Sequence, residues 1–149
     1  KFLEESRHGR HAMIVLDIDD FKKINDTKGH VYGDQVIADL AAILKNQFRA
    51  TDILGRIGGD EFMIFIKDIP NELFVAAKVA KVRNLFMSQH EIGVSAGIAI
   101  FPKDGTNYLD LYKHADIAMY SVKRSGKNRY EFYSDIKEQE SRGSVQDRV

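Results

Sequence analysis

The sequence contains no cysteine, and none of its apolar runs approaches the length of a membrane span. The first absence excludes disulfides and thiolate metal sites and fits a reducing compartment, so we expect a cytoplasmic domain. The start of the chain is charged and does not resemble a signal peptide. We therefore expect no membrane contact by this chain, although a longer parent protein could still be membrane-anchored.

An excess of charge of either sign is also absent. Lysine plus arginine and aspartate plus glutamate each number 22, so nothing in the net charge favours nucleic acid or an acidic membrane as partner. The 149 residues are 44% hydrophobic, which suits one globular domain with its own core. The chain does not begin with methionine, and we expect it to be part of a longer protein.

Hydrophobic periodicity predicts five strands and four helices in a single domain over residues 1–134. The strands are expected at 12–16, 52–57, 62–66, 92–101 and 129–133, and the helices at 21–28, 32–48, 72–87 and 109–123. Their order, βααββαβαβ, indicates an α+β fold of the split βαβ type. Residues 135–149 are charged and nearly free of apolar side chains, which predicts a tail or linker.

Gly58 and Gly59 separate two short strand-like runs and are followed at once by Asp60 and Glu61. A Gly-Gly pair in this position predicts a β-hairpin with a tight primed turn, which needs positive φ. Two adjacent acids after the turn would repel each other unless a cation lies beside them. A divalent metal ion is the usual cation in such a place.

A further acid, Asp17, ends the first apolar strand. If the hairpin pairs beside that strand, three carboxylates converge at one end of the sheet, and oxygen ligands of this kind suit Mg²⁺. The alternative is that Asp17, Asp19 and Asp20 only cap the helix that begins at Phe21. For Asp19 and Asp20 the pattern leaves both possibilities open.

Several segments in fixed order resemble the GGDEF domain of the diguanylate cyclase family over nearly the whole chain. The matching segments are residues 17–26 (DIDDFKKIND), 29–30 (GH), 33–34 (GD), 56–62 (RIGGDEF), 94–99 (VSAGIA), 115–120 (ADIAMY) and 123–129 (KRSGKNR). The resemblance implies a palm-like domain of the nucleotidyl cyclase type, with helices around a five-stranded, antiparallel-rich sheet. The family's first helix is only partly present, which leads us to expect truncation at the N-terminal end.

The resemblance implies that two GTP molecules condense to cyclic di-GMP and two pyrophosphates across a homodimer. Asp17, the carbonyl of Ile18, Asp60 and Glu61 would hold two Mg²⁺ ions in each half-site, with Mn²⁺ able to substitute. Asp60 would also deprotonate the attacking 3′-hydroxyl, so Asp60 and Glu61 are the expected catalytic residues. Metal assistance is needed because a carboxylate is a weak base at neutral pH.

The resemblance also assigns the guanine contacts to Asn25 and Asp34. A carboxylate accepts from the N1 and exocyclic amino hydrogens of guanine, a donor pair that adenine lacks, so GTP is favoured over ATP. Without the resemblance, Asn25 would be interpreted as a residue at the C-terminal end of a helix or in a turn, and Asp34 as a helix N-cap.

The phosphate contacts are implied in the same way. The backbone amides of Asp20, Phe21 and Lys22 open a helix and would bind the β- and γ-phosphates. Lys123 and Lys127 match two cationic phosphate ligands; the second is commonly arginine in the family, so Lys127 keeps the charge without bidentate geometry. The alternative for both lysines is a solvated helix end.

Arg49 and Asp52 match the family's RxxD motif, which binds the product cyclic di-GMP as an inhibitor. The alternative is an ordinary surface ion pair. The resemblance further implies flanking regulatory domains in the full-length protein.

Two other functions are weighed against the cyclase: a catalytically silent module that senses GTP or cyclic di-GMP, and an adenylyl-using enzyme of the same fold. Asp60 and Glu61 are both present, which disfavours the silent module. Asp34 disfavours the adenylyl-using enzyme.

Overall fold

The computed structural model describes residues 9–136 of the chain. The elements, in chain order, are β1 (His11–Ile18), α1 (Phe21–Lys28), α2 (His30–Gln47), β2 (Ile53–Arg56), β3 (Glu61–Ile66), α3 (Glu72–His90), β4 (Val94–Phe101), α4 (Tyr108–Arg124) and β5 (Tyr130–Phe132). All nine predicted elements are present in the predicted order, with ends that shift by a few residues. Most of the predicted tail, from residue 137 onward, lies outside the described residues.

The five strands form one sheet in the order β2-β3-β1-β4-β5. The pairs β2–β3, β3–β1 and β1–β4 are antiparallel, and only β4–β5 is parallel. This confirms the predicted α+β fold with an antiparallel-rich sheet. The central strand is β1, whose continuous apolar run predicts burial on both faces, and all its residues except Asp17 are buried.

Alternate residues of β1 supply two separate cores, because successive side chains in a strand point to opposite faces. Ile14 and Leu16 pack with apolar residues of α2 and α3 on one face. Met13 and Val15 pack with residues of α4 on the other face. Helices on both sides therefore hold the sheet rigidly, and β1 ends at a position that neighbouring strands determine.

The hairpin between β2 and β3 is present, but its predicted turn type is wrong. Strand β2 ends at Arg56 and β3 begins at Glu61, which leaves residues 57–60 as the connection rather than a two-residue loop. Neither Gly58 nor Gly59 has a φ in the left-handed region. The Arg56 side chain instead holds the loop by donating to the carbonyl oxygens of both glycines, at 2.7–3.2 Å.

Helix α4 packs against β4 at Gly97, where the sheet has no side chain. A Cβ at this position would lie 2.0 Å from the carbonyl oxygen of Ala115 and 2.4 Å from the amide nitrogen of Met119. Glycine is thus required by the close approach of helix and strand. Within residues 9–136, no helix is long and apolar enough to cross a membrane.

The contact at Gly97 yields a stability prediction. Gly97→Ala should lower the free energy of unfolding by about 1–3 kcal/mol, because helix α4 must move away from the sheet. Gly55→Ala is the matched control, since its Cβ would meet only Met63 Cε at 3.8 Å, an ordinary contact. Urea denaturation measures both variants, and equal losses of stability would contradict the packing argument.

Candidate nucleotide and metal site

The hairpin acids lie at the end of β1. Asp17 is the register partner of Glu61, and the amide of Ile18 donates to the carbonyl oxygen of Asp60 at 3.3 Å. The antiparallel pairing of β1 with β3 is the cause, since the start of β3 must lie beside the end of β1. Asp17 thus shares one edge of the sheet with Asp60 and Glu61, which lie more than forty positions later in the sequence.

Asp17 is the most constrained of these acids. Its side chain is 16% exposed, and its Oδ2 lies 3.1 Å from Nζ of Lys123. Its Oδ1 is buried and has no hydrogen-bond partner. Burial, together with the nearby carboxyl of Asp60, raises the pKa of Asp17 to about 8, although Lys123 opposes the shift.

Glu61 is held by a residue that the sequence reasoning missed. The Tyr112 hydroxyl, on α4, donates to Glu61 Oε1 at 2.9 Å. Burial raises the pKa of Glu61 above its ordinary value, and the nearby Asp116 and Asp60 carboxylates add to the shift, whereas the Tyr112 bond opposes it. No sequence signal links Tyr112 to Glu61, which lies 51 positions earlier and on another element.

The acidic edge fits a divalent cation in its chemistry. In the described part of the chain, no three acidic or histidine side chains are already grouped as metal ligands. The available donors are nevertheless all oxygens, and the partnerless, buried Oδ1 of Asp17 calls for a positive partner. Oxygen ligands without nitrogen or sulfur favour Mg²⁺ or Ca²⁺ over softer metals.

The loop between β1 and α1 turns sharply at Asp20, whose φ is 55°. Asp20 precedes the helix but makes no capping bond with its side chain, so the capping alternative is wrong for it. Its carboxylate pairs with Nζ of Lys127 at 2.6 Å, and this hydrogen bond lowers the pKa of Asp20. The first hydrogen bond of α1 runs from the amide of Ile24 to the carbonyl oxygen of Asp20. The amides of Phe21 and Lys22 precede this bond at the helix N-terminus, so they have no acceptor within the helix.

Asp19 does not cap the helix either. Its side chain is buried, with 6% of the residue exposed. It accepts hydrogen bonds from Ser95 Oγ at 2.5 Å and from the amide of Asn128 at 2.9 Å. These partners are 76 and 109 positions away, so no local pattern could have identified them.

Asp34 is exposed on α2 and lines a cavity of about 300 Å³. The other lining residues are Ile37, Ala38, Ala41, Arg56 and Phe62. The N-cap alternative for Asp34 is wrong, because α2 already begins at His30. A carboxylate at the rim of an apolar cavity suits a flat ring that carries hydrogen-bond donors at one edge.

Asn25 lies in the C-terminal half of α1, as its helical alternative predicts, rather than in a turn. Its Oδ1 is buried without a hydrogen-bond partner. A Cβ at Gly33 would lie 1.8 Å from this oxygen, so glycine at 33 is what allows the amide to occupy its place. Asn25 therefore presents an unused polar group between α1 and α2.

The two lysines beyond the sheet are paired with acids of the β1–α1 region. Lys123 lies in the last turn of α4, and Lys127 follows the helix with a φ of 62°. Lys123 contacts Asp17, and Lys127 contacts Asp20. Both cations are thus brought to the end of β1. The side chain of Lys123 is 22% exposed, whereas that of Lys127 is 41% exposed, as expected for a solvated residue.

Arg49 and Asp52 form the ion pair that was the alternative to a product site. Arg49 Nη2 lies 3.2 Å from Asp52 Oδ1, and the amide of Arg49 donates to Oδ2 at 2.9 Å. The Asp52 side chain is 2% exposed, whereas that of Arg49 is 48% exposed. Any ligand at this place would therefore meet the guanidinium, while Asp52 orients it.

Comparison with known proteins gives a family match over most of the chain. Residues 2–129 match the family described as diguanylate cyclase, GGDEF domain. The signalling protein YkoW of Bacillus subtilis is 40% identical over 139 residues, which cover 88% of this chain and 17% of that protein. The diguanylate cyclase DgcS of Shewanella oneidensis is 34% identical, with 85% of this chain and 43% of that protein covered. The chain thus spans less than half the length of these relatives.

Solved structures agree as well. The active GGEEF domain of a diguanylate cyclase from Vibrio cholerae is 32% identical and has a TM-score of 0.80, covering 89% of this chain and 88% of that chain. The GGDEF domain of DgcB from Caulobacter crescentus, solved in complex with c-di-GMP, is 30% identical with a TM-score of 0.78. It covers 88% of this chain and 82% of that chain. With its match over residues 2–129, the chain belongs to the GGDEF domain family of diguanylate cyclases.

Proposed function

We propose that this domain is a diguanylate cyclase, which condenses two GTP molecules into cyclic di-GMP and two pyrophosphates. The observation that carries the proposal is the acidic edge formed by Asp17, Asp60 and Glu61, with two lysines and an apolar cavity beside it. Acids for a cation, lysines for phosphates and a cavity for a base are the three parts that a nucleotidyl-transfer site needs. The relatives named as diguanylate cyclases support the same reaction.

In this proposal, GTP lies with guanine in the cavity beside Asp34 and with its phosphates toward α1. The Asp34 carboxylate accepts from N1–H and the exocyclic amino group of guanine, and the Asn25 amide, which has both donor and acceptor groups, contacts the base as well. The amides at Asp20, Phe21 and Lys22 and the ammonium groups of Lys123 and Lys127 contact the β- and γ-phosphates.

Asp17, the Ile18 carbonyl, Asp60 and Glu61 would hold Mg²⁺, or Mn²⁺ in its place. A metal held there would supply Lewis-acid polarisation of the phosphate and would lower the pKa of the attacking hydroxyl. Of the chain's own groups, Tyr112 holds Glu61 in place through its hydroxyl, and Lys123 balances the charge of Asp17. Mutual repulsion among the acids is thereby reduced before any nucleotide arrives.

Each bond-forming step joins the 3′-oxygen of one GTP to the α-phosphorus of the other. The bond from that phosphorus to pyrophosphate breaks, and the Asp60 carboxylate takes the hydroxyl proton. Two such steps close the ring and release two pyrophosphates.

Since one domain offers one nucleotide site, we propose a homodimer in which the partner copy presents the second GTP. GTP is a cytoplasmic metabolite, so the proposal places this domain in the cytoplasm, under the control of flanking regulatory domains.

We also propose that Arg49 binds the product as an inhibitor. The guanidinium is half exposed, and Asp52 and the carbonyl oxygen of Lys67, at 2.6 Å, orient it. A guanidinium held in this way keeps Nε and Nη1 as charged donors for a phosphate or for the Hoogsteen edge of guanine, while Nη2 stays with Asp52 and Lys67. The similar GGDEF domain of DgcB was solved in complex with c-di-GMP, which supports a product-binding surface on this fold.

Replacing Asp60 tests the reaction. Asp60→Asn should abolish formation of cyclic di-GMP from GTP in saturating Mg²⁺, because the amide neither accepts the proton nor binds the cation well. Pyrophosphate release and cyclic product are both measured, with the fold checked by circular dichroism. Asp110→Asn, which replaces a half-buried acid in the first turn of α4, is the control and should keep full activity. Turnover by the Asp60→Asn variant would contradict the assignment.

Replacing Asp34 tests base recognition. Asp34→Asn should raise KM for GTP about tenfold or more, since one acceptor for the guanine donors is lost. The ratio of kcat/KM for GTP to that for ATP should fall for the same reason. Steady-state rates with each nucleotide give the two values of kcat/KM. Asp39→Asn is the control on the same helix, because Asp39 Oδ2 contacts His90 Nε2 at 2.8 Å and does not line the cavity. An unchanged preference would show that Asp34 does not contact the base.

Replacing Arg49 tests product inhibition. Arg49→Ala should weaken inhibition by added cyclic di-GMP by at least about tenfold, because a charged hydrogen-bond donor is removed. KM for GTP should not change. Lys81→Ala, an exposed cation on α3, serves as the control for general charge effects. Inhibition of equal strength in wild type and in the Arg49→Ala variant would leave the RxxD segment as a structural ion pair only.

A further inference from the structure

Asp19 is a buried carboxylate that neither the metal site nor the phosphate contacts use. The residue lies between the proposed cation ligands at 17 and 18 and the first phosphate-binding amide at 20. Its carboxylate points away from them, toward β4 and the loop between α4 and β5, where it meets Ser95 and Asn128. A buried charge is expensive unless such hydrogen bonds satisfy it. The sequence alone left its role open.

The loop that Asp19 contacts has an unusual backbone. Gly126, Lys127 and Asn128 have φ values of 127°, 62° and 48°, three consecutive positive values. Side chains other than glycine rarely adopt this region, and it persists only where surrounding contacts enforce it. The amide of Asn128 donates to Asp19 Oδ2 at 2.9 Å and to Ser95 Oγ at 3.2 Å. These bonds fix the loop at the residue that follows Lys127.

The residue that precedes β4, Gly93, also contacts Asp19. The amide of Asp19 donates to the Gly93 carbonyl at 2.9 Å. A Cβ at Gly93 would lie 2.5 Å from Asp19 Oδ2 and 2.8 Å from Asn128 Cβ. Gly93 therefore has to be glycine for the carboxylate and the loop to meet, although its own φ is not in the left-handed region.

We propose that Asp19 is a positioning residue that locks the Lys127 loop to the β1–α1 loop, so that both loops meet the same phosphates of GTP. The neighbours on each side of the lock are already in contact, since Lys127 Nζ lies 2.6 Å from Asp20 Oδ1. The role of the lock in catalysis rests on the proposed cyclase function. The lock itself is a property of the fold and is measured separately.

The first experiment compares Asp19→Ala with wild type in two measurements. Amide hydrogen exchange at Asn128 should become at least about tenfold faster, because its buried acceptor is lost. KM for GTP should rise about tenfold or more with a smaller change in kcat, because the phosphate ligands are less well placed. Asp19→Asn keeps an acceptor for the amide of Asn128 and should recover part of both effects.

Two further variants separate positioning from loss of stability. Asp104→Asn replaces another buried carboxylate, 7% exposed, which accepts from the amide of Ile100 at 2.8 Å beyond the opposite end of β4. It should lower the melting temperature without changing KM for GTP. Gly93→Ala leaves every charge in place but displaces the Asp19 carboxylate, and it should reproduce the increases in exchange and KM.

The outcomes distinguish the two proposals. Wild-type protein that neither binds nor turns over GTP would refute the cyclase function, while exchange at Asn128 would still decide whether Asp19 locks the loop. Unchanged exchange at Asn128 in the Asp19→Ala and Gly93→Ala variants would overturn the lock. Faster exchange with a KM equal to that of Asp104→Asn would overturn its role in substrate binding.

Discussion

The pairing of β1 with β3 on one side and β4 on the other is the constraint on which the site depends. All of β1 except Asp17 is buried, and its two faces supply both cores, so the strand cannot shift without disrupting each of them. The C-terminal end of β1 therefore has a fixed position relative to β3 and β4. Through β3 it aligns Glu61 with Asp17, and through β4 it brings Ser95 to Asp19. A polar site is thus built at the end of a strand that is otherwise buried.

Charge balance is the second organising feature. The acids at the end of β1 would repel one another, and burial already raises the pKa of Asp17 to about 8. Lys123 and Lys127, at and just beyond the end of α4, offset part of this repulsion through their ion pairs. A nucleotide that arrives with its cation would supply new partners of both signs, phosphates for the lysines and metal for the acids. The ion pairs are thus compatible with the proposed substrate.

Element type and order were predictable because the signals are local: apolar runs, helical spacing and glycine breaks. The position of the hairpin was predictable for the same reason. Its turn type was not, because the Arg56 side chain holds a longer connection around the glycine carbonyls. The capping role considered for Asp19 and Asp20 also failed, since long-range partners at Ser95 and Lys127 hold these carboxylates instead.

The sequence by itself determined the strand and helix order, the family and the chemical types present: acids, two lysines, and the amide and acid proposed to contact guanine. Each of these features follows from a short segment whose pattern does not depend on distant residues. The tertiary structure alone decided which hydrogen bonds and ion pairs these groups make. It oriented Glu61 through Tyr112, left Asn25 Oδ1 without a partner against Gly33, and turned Asp19 from the helix toward Asn128. Such contacts join positions far apart in the chain, and only packing of the sheet against its helices creates them.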